Sequence, residues 1–243
     1  MKYILAVAKA VLITLYLCVG TTTANCMSEK TNQQQSAGWT DSFNLEKCNF
    51  SSIGRNEYFI LEPGYQLTLE GVEDEDSVRL VITVLEQTEK IGNVETRVVE
   101  ERETVNDTLV EISRNFFAFC TQTNSVFYFG EDVDIYENGV IVSHNGSWRA
   151  DSGNAKAGLM IPGIILLGAR YYQEIAPDVA MDRAEIVSNK ETMQTSAGRF
   201  ENCLKTEETT LLEPKAKEYK FYAPGIGLIK DGNLLLTKYR FVP

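Results

Sequence analysis

At 243 residues, with 34 acidic against 23 basic side chains and a formal net charge of −11, the chain has the length for one large β domain or two small ones. Its charge is the wrong sign for nucleic acid or an anionic lipid surface, both of which need basic patches to displace counterions. A single histidine, His144, removes histidine triads, two-histidine metal sites and His-Glu-x-x-His from one copy of the chain.

Met1-Lys2 and Lys9, the apolar run over 10–19 and the small residues ending in Thr22-Thr23-Ala24 have the three-part layout of a secretory signal cleaved after Ala24. An uncleaved anchor is the competing reading, but a span needs about 20 apolar residues and Lys9 interrupts the longer window. Lipid attachment at Cys26 is a third, opposed by Asn25 where a small residue is wanted. Removing Lys2 and Lys9 leaves 21 basic residues against 34 acidic, a net charge of −13. Residues 25–42 are polar, without apolar periodicity, and read as a flexible tether. The β domain is expected over 43–243.

Cys18 lies in the leader. Cys26, Cys48, Cys120 and Cys203 remain, an even number in a chain that reads as exported, which favours disulfides over free thiols. Of three connectivities, Cys26–Cys48 with Cys120–Cys203 is preferred: the first pair is local and the second links two predicted strands. The second would close a loop of about 80 residues, on the order of 4 kcal/mol in the chain-entropy model. Sequons at Asn49-Phe-Ser51, Asn106-Asp-Thr108 and Asn145-Gly-Ser147 are glycan acceptors if the host glycosylates.

The strands come in quick succession. Residues 58–61 precede the turn Pro63-Gly64, and 66–70 end at the charged tip Glu73-Asp-Glu-Asp76. Over 78–86, Val78, Leu80, Ile82 and Val84 share one face of a half-buried strand. The run 94–105 carries alternating glutamates and arginines, expected on an exposed face. Asn106-Asp107 turns into 108–119, where Phe116-Phe-Ala-Phe119 is apolar on both faces, as in a doubly covered strand. Residues 126–129 lead to Asn138-Gly139, flanked by Val133/Ile135 and Val140/Val142; a two-residue Asn-Gly loop is the strongest short-range hairpin signal. Residues 149–168 are the least regular, broken by Pro162-Gly163, the kind of long loop that often binds. Strands resume at 169–175, 184–188, 192–196, 200–209, 217–222, 227–230 and 234–241, most of them separated by turn residues. About a dozen strands at such spacing imply an all-β fold, a single curved antiparallel meander forming a half-barrel or sandwich.

Tyr58-Phe-Ile-Leu-Glu-Pro-Gly64, Tyr128-Phe-Gly-Glu-Asp132, Gly146-Ser-Trp148, Phe200-Glu-Asn-Cys-Leu-Lys-Thr-Glu207, Leu212-Glu-Pro214 and Glu218-Tyr-Lys-Phe-Tyr-Ala-Pro-Gly-Ile-Gly-Leu-Ile-Lys230 occur in this order over 56–239. The chain thereby resembles a family of uncharacterised exported or lipid-anchored β proteins of bacteria and archaea. The resemblance implies an exported, single-domain, β-rich protein. The family has no assigned activity, so no catalytic residue carries over.

The residues offer few reactive constellations. His144 sits at the edge of a hairpin with no nucleophile elbow in the chain, and reads as an exposed strand-end side chain. Glu131, Asp132 and Asp134 fail the Ca²⁺-loop pattern at Tyr136 and Glu137; period 2 puts Asp132 and Asp134 on one face, a loose cation site at best and otherwise a solvated one. Gly225-Ile-Gly227 lacks the following helix of a phosphate loop and reads as a tight turn. Glu174, Asp178, Asp182 and Glu185 flank the irregular middle and are the carboxylates for glycoside hydrolysis, with Arg183 as a structural ion-pair partner. The aromatics Phe116, Phe117, Phe119, Phe127, Tyr128, Phe129, Tyr171 and Tyr172 read as core, some lining a cavity with residues 159–167 across its mouth.

The expectation is an exported, non-enzymatic binding or carrier module of the cell envelope with an apolar ligand in the concave sheet. No catalytic residue, cofactor or metal is assigned. The alternative is a structural or interaction protein with a filled core and an envelope protein as partner; a carboxylate hydrolase comes third. Nucleic acid is not an expected partner, and a membrane is one only through a retained signal or lipid anchor.

Overall fold

The computed structural model of the protein describes residues 38–243. The expected signal over 1–24, Cys26 with its lipidation and pairing, and the tether up to residue 37 lie outside the described residues. Within the remaining tether stretch, Trp39 and Thr40 rest against the domain. Thr40 N donates to Arg170 O at 3.0 Å, Tyr172 N donates to Thr40 O at 2.9 Å, and the Arg183 guanidinium lies 4.4 Å from the Trp39 ring centroid.

The fold is all-β. The first strands are β1 (Phe50–Ser51), β2 (Gly54–Arg55), β3 (Ile60–Leu61), β4 (Tyr65–Glu73), β5 (Asp76–Ile91), β6 (Val94–Val105), β7 (Thr108–Cys120) and β8 (Ser125–Glu137). Next come β9 (Val140–Ser143), β10 (Trp148–Arg149), β11 (Lys156–Ile161), β12 (Arg170–Tyr172) and β13 (Glu174–Ile175). The last are β14 (Asp182–Thr195), β15 (Gly198–Thr210), β16 (Lys217–Ala223), β17 (Gly227–Asp231) and β18 (Leu234–Phe241). Apart from the β2–β3 pair, they join one sheet in the order β12-β14-β15-β16-β17-β18-β4-β5-β6-β7-β8-β11-β13, with β1 on β7 and β9 and β10 on β8.

Two meanders, β4–β8 and β14–β18, meet where the last strand pairs antiparallel with β4 (Leu235↔Glu70 to Phe241↔Tyr65). The far ends meet in one short stretch of chain. β12 pairs with β14 through Tyr171↔Ala184, and three residues later β13 pairs with β11 through Glu174↔Ala157. The result is a nearly closed barrel, which leaves few free backbone edges. Glycine and asparagine turns set the corners: Asn106 and Asp107 (φ 48° and 62°) join β6 to β7, and Asn138 and Gly139 (φ 51° and 77°) join β8 to β9, the positive φ values that tight hairpins require.

Residues 149–168 are more regular than their sequence suggests, because β11 pairs with β8 on one side and β13 on the other. The double apolar face of β7 also has its cause. Phe117 and Phe119 point into the barrel core, while Phe116, Ala118 and Cys120 point outward under a strap carrying Phe43, Leu45 and Phe50. Phe50 meets the rings of Phe127 and Phe129 edge-on at 5.9 and 5.2 Å.

The preferred disulfide pairing is corrected. Cys48 of the strap bonds Cys120 of β7, with Cα atoms 5.2 Å apart, and Cys203 is a buried free thiol. The strap carries Cys48 across the outer face of β7, where Cys120 also points. Cys203 packs instead in the core cluster that holds Phe117 and Phe119, so the Cys120–Cys203 bond does not form.

Candidate functional site

Inside the barrel lies a partly open cavity of about 120 Å³. Part of its wall is apolar, with Phe59, Tyr65, Ile82, Val84, Phe117, Met160 and Leu228, and the rest carries Glu101, Glu131, Glu174, Asp182, Glu208 and Asp231. Lys220 is the single cation on the wall.

Strand register explains how acids come to be inside. On β6, Val99 faces Val84 of β5, so period 2 turns Glu101 and Glu103 inward beyond it. These are residues whose alternation with arginine reads as an exposed face, and that expectation is corrected. Across the next pairing, Val99, Asn115 and Glu131 stand in one row, and Glu101 and Ser113 in the next. On the other meander, Thr206, Lys220 and Asp231 form a row beside Ala184, Glu208 and Glu218.

A bulge decides which acid of the Glu131–Asp134 run enters. Phe117 pairs with Tyr128 but Asn115 pairs with Glu131, so β8 spends one extra residue there. Gly130 occupies this point at φ 155°, and a Cβ on it would lie 2.6 Å from Trp148 O. The shift sends Glu131 inward and Asp132 and Asp134 outward, where both are neutralised. Arg149 Nη2 donates to Asp132 Oδ2 at 2.8 Å, and Asp134 lies 3.0 Å from Arg114 Nη1 and 2.9 Å from His144 Nδ1. Their shared face holds ion pairs rather than a cation site, and His144 is exposed.

Of the four carboxylates flanking the irregular middle, the structure brings two together. Glu174 and Asp182 both line the cavity, and the neighbouring Asp182 adds to burial in raising the Glu174 carboxyl. Glu185 instead accepts from Arg170 Nε at 2.8 Å outside, and Asp178 is an exposed turn residue with φ 63°. Arg183 is not the carboxylate partner expected of it: it stacks on Trp39 and donates to Thr209 Oγ1 at 3.3 Å. Gly225 and Gly227 form a tight turn (φ 71° and 102°) whose Ile226 reaches the cavity. Of the segment 159–167, only Met160 lines the cavity. Its Ile164, Leu166 and Leu167 are exposed, and Gly163 is seated against Thr123 and Asn124. The sequon residues Asn49, Asn106 and Asn145 are all exposed.

Burial dominates the electrostatics. It pushes the carboxyls of Glu101 and Glu111 up to about 7. Glu103, half-buried and opposite Glu111, rises to about 8, and Glu218, half-buried near Asp231, to about 7. Glu131 and Glu174 are raised well above the carboxylate range by burial first and by neighbouring acids second. For Lys220, burial works against the ammonium, but Asp231 and Glu208 outweigh it and hold its pKa well above the usual value; Nζ lies 3.3 Å from Asp231 Oδ2 and 3.4 Å from Glu208 Oε2. Gln173 Nε2 donates to the other oxygen of Glu208 at 3.0 Å. Among the described residues, no group of three or more metal-ligating side chains converges.

No protein-family model matches the chain, and no curated protein matches it. Among solved structures, the chain is similar to "a putative lipoprotein from Parabacteroides distasonis ATCC 8503", at a TM-score of 0.37 and 11% identity, over 77% of this chain and 100% of that one.

Proposed function

We propose that this protein is an exported, non-enzymatic binding module of the cell envelope that holds a small ligand inside the barrel. The observation that carries the reading is the partly open cavity, with aromatic and aliphatic side chains along one part of its wall and polar groups converging on the rest, the usual anatomy of a ligand site. At about 120 Å³ the cavity has room for several waters or one small organic molecule. Export is supported by the Cys48–Cys120 bond, which persists in oxidising compartments, and by the leader-like residues 1–24.

Native mass spectrometry of protein purified from its own host tests the reading. Bound mass is expected, and Val99→Trp, which projects an indole into the cavity, abolishes it while far-UV circular dichroism stays unchanged. A wild-type protein without bound mass, unshifted in melting temperature by any small molecule, is instead a structural envelope protein.

A hydrolase is the second reading, favoured by Glu174 and Asp182 meeting on the wall of one cavity. Turnover of any ester, peptide or glycoside that is lost in Glu174→Gln would move this reading ahead of the first.

A further inference from the structure

Six carboxylates on the cavity wall face one cation. Lys220 accounts for Asp231 and Glu208. Glu101, Glu131, Glu174 and Asp182 have no ion pair to a basic side chain among those found in the described residues. Glu131 is 1% exposed and its Oε1 lacks a hydrogen-bond partner, as do Asp231 Oδ1 and the hydroxyl of Tyr222, which is 2% exposed. A buried acceptor without a donor is destabilising, and hydrophobic residues of similar volume would fill the same space at no loss. Glu131 therefore breaks the local rule of its strand, the kind of violation that marks a functional position.

The wall already shows which chemistry it accepts. Lys220 is part of it and places a primary ammonium between two carboxylates. A carboxylate ligand would find one ammonium, Lys220, already held by two acids, and a bare metal ion would find no convergent set of ligands among the described residues. We propose that the cavity binds a small organic cation, an ammonium on a short apolar chain. The ammonium donates to Glu131 and Glu174, and the chain lies against Phe59, Phe117 and Met160. The inference rests on the cavity being a ligand site and adds the charge of its ligand.

Isothermal titration of full-chain protein, stripped of bound mass by unfolding and refolding, with hexylammonium, 1-hexanol and hexanoate separates the two. Hexylammonium is expected to bind about tenfold or more tighter than the alcohol, the worth of a charged hydrogen bond in a buried site, and hexanoate the weakest. The double variant Glu131→Gln/Glu174→Gln should bring amine and alcohol to equal affinity; either single variant, read the same way, serves if the double variant does not fold. Alcohol binding equal to amine binding in the wild type would overturn the cationic ligand and leave the cavity reading intact. Failure of all three to bind would overturn both. Amine binding that survives Val99→Trp would place the amine on the acidic exterior and also overturn the inference.

Discussion

The two faces of β7 and β8 are built on opposite terms. The outer face is dry and aromatic: Phe116, Phe127 and Phe129 lie under Phe43, Leu45 and Phe50 of the strap, and Cys48–Cys120 staples the cover down. The inner face, one residue away along the same strands, carries Glu111, Asn115 and Glu131 among Phe117 and Tyr128. The difference teaches that stability and specialised chemistry are divided between the faces of one sheet. The outer face contributes burial that a strand buried on one side only would lack, and the inner face can then hold buried acids that destabilise it.

The sharpest way to break this contrast is on the outer face. Phe127→Ala should cost about 3–5 kcal/mol, as large-to-small core changes do, read as a lower denaturation midpoint. Cys48→Ser should cost on the order of 4 kcal/mol, because the bond closes a separation of 72 residues. If both changes leave the midpoint where it was, the strap is an ornament and the division of labour fails.

The inner face should show in the pH dependence of stability. Folding raises Glu101, Glu111 and Glu218 to about 7 and Glu103 to about 8, above an unfolded value near 4.5. Their protonated forms are favoured by the fold, so this contribution is fully present below about pH 4.5 and is lost as pH rises through 7 to 8. The melting temperature is expected to fall between pH 5 and pH 8, by about 2–4 °C for each kcal/mol of stability lost at this size. Glu207, lowered by Lys217, acts in the opposite sense, but only as pH drops through its own lowered value. A flat or rising profile by differential scanning calorimetry would mean that the inner acids are compensated by something the inner face does not show.

Smaller again, Glu131→Gln keeps the shape and removes the titrating group. It should stabilise by about 1–3 kcal/mol at pH 8, do little at pH 5, and shallow the pH slope. The smallest effect belongs outside: His144→Ala, which removes an exposed contact to Asp134, should stay within about 0.5 kcal/mol. A larger loss there would give the outer ion pairs a role that the two-face contrast denies them.

Much of the architecture is legible in the chain. Asn138-Gly139, Asn106-Asp107 and Pro63-Gly64 announce their turns, and the 78–86 alternation announces the face that Val78, Leu80 and Val84 bury. The site was less legible, though one signal was present. Once Val99 is placed inward, parity places Glu101 and Glu103 inward as well; the rule that charges face water obscured it. Glu131 was hidden for another reason, because counting by twos from Tyr128 leads to Asp132 and Asp134, and only the bulge at Gly130 reverses that frame. The Cys48–Cys120 bond was equally out of reach, since which sulfurs meet depends on where the strap crosses the sheet.

By itself, the sequence determined that this chain forms antiparallel strands joined by tight turns, because turn residues and two-residue periodicity act over a few neighbours and need no partner to be read. Only the tertiary structure decided that the strands close on themselves through residues 170–175, that a strap covers one face, and that acids from six different strands share one interior. Those outcomes depend on strand register and on a one-residue bulge, which shift every following side chain from one face to the other and leave no local mark strong enough to count from.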